Sequence, residues 1–348
     1  MSSPSKPPAR AGGHRVVQRP ACHASRVCPT ARSPRARARG LYWPGLASVT
    51  LLYGMAAWAG EPAAKPLVLQ AGGEAIEFVP IPAGEFRMGS PAGEPFGEPD
   101  EIPRRVRIST PFLLGRTELS VGQFAALDDG PLTAQVVARN GAESAAALPL
   151  VSVSWLDIEQ LLPRWNQRFA DQLPAGTCIR IPTEAEWEYA CRAGTETPFF
   201  YGADPARAAA FVWSKENAAD RQPVGRLKPN AWGLHDMLGN VYEWTADLAG
   251  PYAPPAAEPL VDPLGPDVGI ARAIRGGAFS EPAEKCRAAN RVGNGYLGKA
   301  RRHMGLRLAI GRKLPVAVPP PPPPVPPKPK ITVPTDPFAE GAGLPPLD

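Results

Sequence analysis

Side chains that most often carry chemistry are scarce in this sequence: 348 residues hold four histidines and five cysteines. Two of each (His14, His23, Cys22, Cys28) fall within the first 59 residues, a stretch that contains no acid at all. His235 and His303 stand alone farther on, so neighbours in sequence supply no histidine set with metal-ligand spacing. A glycine-rich phosphate loop, a Ser-His-Asp order and a His-Glu-x-x-His run are all missing. No segment repeats with a period of about 20 to 50 residues, which argues against a solenoid or propeller. The chemistry, if any, must come from a less common arrangement.

What is present is unevenly distributed. Residues 1–59 carry nine basic residues, from Lys6 to Arg39, and then an uncharged apolar run from Leu41 to Ala59 that ends in Ala57-Trp58-Ala59. A basic region, an apolar run and a small-x-small end read as a secretory signal cleaved after Ala59. The other reading is an uncleaved anchor, because about twenty apolar residues can span a bilayer. Membrane contact is expected only through this segment. Removing its nine positive charges takes the chain from a net +5 to −4. The basic balance therefore belongs to a removable leader and gives no support for nucleic-acid binding, which needs Lys and Arg clustered on the folded domain. Export makes one disulfide possible among Cys178, Cys191 and Cys286, with one thiol left over. Cys178 and Cys191 are the nearer pair, yet Cys191 falls in a predicted helix and reads equally as a small buried apolar residue.

At the other end, residues 315–348 include fourteen prolines, six of them consecutive from Pro319 to Pro324. Such a composition cannot bury enough apolar surface to fold alone, and proline favours an extended helix without internal hydrogen bonds. The sequence leaves two roles open, a spacer or a peptide ligand. The expected organisation is a leader over 1–59, a linker over 60–75, one domain over 76–312 and a Pro-rich tail over 313–348.

Within the domain, Glu77–Gly89 alternates around Pro82 and Gly84 and predicts a hairpin. Arg105–Leu114 predicts one strand and Glu118–Leu127 a short helix, while 128–147 shows little pattern. Ser154 is a helix N-cap candidate before apolar residues at Trp155, Ile158, Leu161, Leu162 and Trp165, spacings that make one helical face. Pro163 should kink or shorten that helix. Thr183 with Glu186 three residues on forms a capping box, and Gly194 marks the helix end. Glu184 and Glu188 are read with Glu186 as first-turn acids favoured by the helix dipole. Ala271–Phe279 and Met304–Ile310 predict a last pair of strands.

The stretch that organises the rest is Asn230–Asp247, NAWGLHDMLGNVYEWTAD, in which Trp232, Tyr242 and Trp244 are interleaved with Gly233, Gly239 and the acids Asp236, Glu243 and Asp247. Neither a helical nor a strand period fits it throughout, so it predicts an aromatic-rich looped core. Asn240, the Val241 carbonyl and Glu243 offer hard oxygen donors at short spacing, suited to calcium. The same groups read equally well as hydrogen-bonding partners of neighbouring backbone.

This stretch resembles the signature of the formylglycine-generating-enzyme, or sulfatase-modifying-factor, domain family. Three more runs follow the family's order: FVPIPAGEFRMGS at Phe78–Ser90, RIPTEAEWEYACRAG at Arg180–Gly194, and IRGGAF with CRAANR and GLRLA across Ile274–Ala309. The resemblance covers roughly residues 76–311. It implies an α+β domain related in architecture to C-type lectins, with much irregular structure. It also implies calcium at Asn240, Val241 and Glu243, whereas the acidic loop of the family's second calcium site has no counterpart between Phe211 and Gly225.

For activity, the resemblance implies a copper-binding cysteine pair after Arg-Gly-Gly that oxidises a substrate cysteine to formylglycine. Soft thiolates suit Cu(I), and two are needed for near-linear geometry. Counting from Gly276 and Gly277, the first cysteine position is Glu281 and the second is Cys286; counting back from Arg291 displaces Cys286. Ala278 stands where the family has serine. One thiol does not support copper-dependent oxidation in the family's manner. Three functions follow from the sequence: a divergent, non-catalytic exported domain holding a peptide or protein ligand in its groove, a formylglycine-generating oxidase working through Cys286 and Glu281, or an iron-dependent oxygenase completed by a partner.

Overall fold

The protein is described from a computed structural model, which covers residues 65–315 apart from 142–145 and 253–256. The leader and most of the Pro-rich tail lie outside these residues. No helix among the described residues is long and apolar enough to cross a membrane.

Among the described residues, twelve strands form three sheets, with four α-helices between them. The first sheet orders its strands β1 (Leu67–Ala71), β2 (Glu74–Ile81), β5 (Phe112–Gly115), β12 (Ala309–Gly311) and β6 (Cys178–Arg180), each antiparallel to the next. β1 pairs residue by residue with β2 and buries Leu69 completely, so the domain begins near Leu67 and the linker expected over 60–75 is shorter. A second sheet orders β10 (Arg291–Tyr296), β9 (Ala271–Arg275), β7 (Tyr242–Leu248) and β11 (Met304–Gly305). A third joins β3 (Gly84–Met88), β4 (Arg104–Ile108) and β8 (Leu260–Val261).

These pairings correct three expectations. β2 and β3 are both strands, but they belong to different sheets and form no hairpin. The strand expected over 105–114 breaks at Thr110-Pro111 into β4 and β5, since proline removes a ladder donor. β9 pairs with β10 and β7, and the segments at 304–305 and 309–311 pair elsewhere, so the last two predicted strands are not partners.

The helices follow local rules more closely. In α1 (Val121–Leu127) Ser120 and Gln123 form a reciprocal capping box, as do Ser154 and Asp157 in α3 (Trp155–Arg168) and Thr183 and Glu186 in α4 (Glu184–Arg192). α3 runs unbroken through Pro163. That proline and Glu159, whose carbonyl loses its helical donor, are both exposed, so the orphaned carbonyl is on the solvent side of the helix. α4 is buried on every face and ends on Ala193 in the left-handed region, one residue before Gly194. α2 (Pro131–Arg139) lies where little pattern was visible; proline at its first position is the cue that marks it.

One apolar layer, built on Phe124, Leu161, Trp165 and Trp244, fills the space between the first sheet, α1 to α3 and the second sheet. A second layer around Trp187, Phe199, Leu234 and Cys286 lies against α4 and the third sheet. Both outer edges of the five-stranded sheet are blocked by side-chain amides. Gln172 donates to and accepts from Gln70 on β1, and Asn166 does the same to Ile179 on β6. At these two residues the edge N–H and C=O groups are already satisfied, which disfavours pairing with another strand there.

Candidate functional site

The four motif segments converge on buried charge. Arg275, at the end of β9, is fully buried; its Nε lies 3.0 Å from Glu184 Oε1 and its Nη1 3.0 Å from Glu188 Oε2. Arg291 shares Glu184 at 2.8 Å, and Arg192 shares Glu188 at 2.8 Å. Tyr252 donates its hydroxyl to Glu184 and accepts from Arg275, with the Arg104 and Arg291 guanidiniums lying 3.1 and 3.9 Å from its ring centre. Burial alone would push Glu184 up, but Arg275 and Arg291 outweigh it and hold the carboxyl below its ordinary value. Glu184 and Glu188 are thus the hub of an arginine network, and only Glu186 serves the cap expected of all three, while also pairing with Arg180 at 2.7 Å.

The central loop is organised by a second buried pair. Arg307 faces Glu243 at 2.7 Å, and Trp187 Nε1 donates to the other carboxylate oxygen at 2.7 Å. Asn240 adopts positive φ; its Oδ1 accepts from the Gln222 amide, and its Nδ2 donates to Glu118 and the Gln222 carbonyl. As a set, Asn240, Val241 and Glu243 do not fit calcium, because the side-chain oxygens that would ligate it are already held by Arg307, Trp187 and Gln222. No three His, Cys, Asp or Glu side chains among the described residues are arranged to hold a metal. The oxygen left over is elsewhere. Asp236 is 2% exposed and its Oδ1 has no partner, while Oδ2 accepts from the Gly225 amide. Fully buried Glu118 accepts from Asn240 and the Val241 amide. Burial first, then Asp236 and Glu243, pushes Glu118 well above the ordinary carboxylate range; burial also raises Asp236.

The segment after Arg275 forms the candidate reaction centre. Gly276 and Gly277 both take positive φ, and a Cβ on Gly277 would stand 2.5 Å from the Cys286 sulfur. Only glycine lets the turn approach the thiol this closely. Phe279 donates its amide to the Asn240 carbonyl at 2.8 Å, tying this turn to the central loop. Cys286 is completely buried; its thiol lies 3.7 Å from the Pro282 carbonyl and accepts from the Ala278 amide. Burial, with Glu281 adding to it, pushes its thiol up, so it is protonated at neutral pH. Glu281 is half-buried, hydrogen-bonds the Tyr242 hydroxyl, and lies within electrostatic reach of His303, whose ring stands edge-on to Tyr242 at 5.9 Å. The structure therefore brings Glu281 and Cys286 together but gives them different surroundings, one facing outward among polar groups and one sealed. Cys178, Cys191 and Cys286 are all free thiols, with no disulfide among them.

Sequence reasoning missed Tyr242, His303, Arg275 and Glu188 as members of these clusters. Arginines set inside apolar runs, as in AIRGG and GLRLA, are the signal that could have exposed the ion pairs, because a charge in a core strand must be matched. Nothing local marks Tyr242 and His303 as neighbours.

Comparison with known proteins agrees with this geometry. Residues 66–312 match the family model described as a sulfatase-modifying factor enzyme 1-like domain. A formylglycine-generating enzyme from Thermomonospora curvata is 31% identical over 251 residues, covering 58% of this chain and 82% of that protein. Among solved structures, PvdO from Pseudomonas aeruginosa superposes with a TM-score of 0.56 at 26% identity, over 72% of this chain and 99% of its own. Treponema denticola variable protein 1 superposes with a TM-score of 0.60 at 23% identity, over 70% and 98%.

Proposed function

The chain belongs to the sulfatase-modifying-factor family, and from that premise we propose that it is a divergent member that binds a peptide or protein ligand instead of oxidising a substrate cysteine through copper. The carrying observation is the sealed, protonated Cys286 with Glu281 standing at the first of the two cysteine positions. A carboxylate is a hard donor, and a neutral thiol in an apolar pocket is a poor one, so the pair lacks the softness and charge that Cu(I) prefers. The half-buried Glu281 and His303 instead place a carboxylate and an imidazole beside each other, with the buried Tyr242 hydroxyl orienting the carboxylate from beneath, a pair suited to hydrogen bonding with a polar or cationic ligand group. The leader supports export, where such a module would meet extracytoplasmic proteins.

The test is a turnover assay. Purified protein supplied with Cu(I), oxygen and a Cys-x-Pro-x-Arg peptide should leave the peptide mass unchanged. Conversion to formylglycine that disappears in a Cys286→Ala variant would overturn the proposal and restore the oxidase reading.

A further inference from the structure

Four carboxylates of the second core layer carry their own cation: Glu184 and Glu188 meet Arg275, Glu101 meets Arg287, and Glu243 meets Arg307, all within 3.0 Å. Glu281 differs. It is half-buried, and among the described residues it belongs to no ion pair; its support is the hydroxyl of Tyr242, which orients a carboxylate without neutralising it. The cations close to it in sequence or space are engaged elsewhere. Lys285 pairs with Glu98, Lys215 lies beside Glu216, Arg302 approaches Asp220 to 3.9 Å, and Arg301 and Arg302 act on His303. The surroundings add negative charge. The Lys215 amide donates to the Glu281 carbonyl at 3.0 Å and the Ala283 amide to Glu216 at 3.2 Å, so the segments 214–216 and 281–284 are knit together. Glu216 and Glu284 thereby join Glu281 within electrostatic reach of Cys286.

We propose that the group held at Glu281 is a cationic side chain of the ligand, an arginine or a lysine, which supplies the charge that this carboxylate lacks. The inference rests on the ligand-binding reading above and names the chemistry of that ligand. A carboxylate has two oxygens able to accept several hydrogen bonds; Tyr242 occupies one position and leaves the others for N–H donors. Such bonds between two charged groups are roughly twice as strong as neutral ones. His303 does not compete for the carboxylate at neutral pH, because burial and then Arg301 hold its imidazole below the ordinary value and therefore uncharged. An acidic ligand group would meet Glu216, Glu281 and Glu284, and only Arg301 and Arg302 would favour it.

Three small probes test the charge directly: N-acetyl-arginine amide, its neutral isostere N-acetyl-citrulline amide, and N-acetyl-glutamate amide. Each is titrated into the full chain at pH 7 while NMR follows the His303 ring resonances, assigned by their loss in a His303→Gln variant. Arginine amide should shift them with an affinity at least about tenfold above that of citrulline amide. This comparison uses the unaltered chain and needs no variant. Glu281→Gln should abolish the preference, and Tyr242→Phe, which keeps the charge but removes its support, should weaken it about threefold. The His235 resonance, fixed by a bond to the Leu227 carbonyl, certifies the fold of each variant by staying in place. Equal affinities for arginine and citrulline amides, tighter binding of glutamate amide, an arginine response retained in Glu281→Gln, or no response to any probe would each overturn the proposal. All four outcomes leave the ligand-binding reading standing, since that reading fails instead on formylglycine formation in the turnover assay.

Discussion

The two core layers are built from different materials. The layer around α1 to α3 is almost purely apolar, with Leu161 and Trp165 completely buried and Phe124 edge-on to Trp165 at 5.8 Å. The layer around α4 and the Arg-Gly-Gly turn buries Arg275, Arg287, Arg307, Glu188 and Glu243 at 1% exposure or less. The first is held by transfer of apolar surface out of water, whereas the second depends on every charge meeting its partner, since a buried ion that loses its mate costs more than the pair contributes. The second layer holds Cys286 and the Arg-Gly-Gly turn, where the irregular loops need fixed polar anchors to hold their shape.

Removing one anchor should cost most. Arg275→Ala leaves Glu184 and Glu188 without their shared cation and is expected to lower unfolding free energy by about 3 to 5 kcal/mol in urea denaturation at pH 7. The loss should shrink as pH falls. Glu184 is held below its ordinary value, so its pairing stabilises the fold above the unfolded carboxylate pKa and fades as pH drops through the folded one. In the apolar layer, Leu161→Ala should cost about 3 kcal/mol, with no such pH dependence. A pH-independent loss in Arg275→Ala would erase the distinction between the layers.

Smaller changes sharpen the same contrast. Asn166→Ala deletes the amide that closes the β6 edge and should cost about 1 to 2 kcal/mol. Asp236→Asn should do the reverse. Its folded pKa is raised, so the fold is favoured at low pH and loses stability as pH climbs from the unfolded value of 3.8 through the folded one. In chelator at pH 8 the asparagine variant should be more stable than the parent, and at pH 3 no more stable. A destabilised variant at pH 8 would mean that the ionised carboxylate has a partner that the hydrogen bonds do not reveal.

The same division governs how much the sequence discloses. Ser154 with Asp157 and Thr183 with Glu186 are three residues apart, so spacing alone marks the starts of α3 and α4. The four motif runs, quoted in order, mark the fold. Glu184 and Arg275 are 91 residues apart and Glu243 and Arg307 are 64 apart, so no local window shows that they meet. Lacking those partners, a reader assigns Glu184 and Glu188 to a helix terminus and Glu243 to a metal. β10 is hidden for a related reason: its basic, glycine-rich run RVGNGY looks like a loop until β9 lies beside it. At the candidate site, Cys286 and Glu281 can be named by counting from Gly276 and Gly277, but their unequal burial is a property of the packed layer.

The central claim is that this turn presents no copper-binding thiolate. Anaerobic titration with Cu(I) against a competing chelator addresses it directly, with bound metal counted per chain. The account predicts that the chelator retains the copper and that Cys286→Ser changes nothing. One tightly held equivalent per chain, lost in that variant, would contradict it.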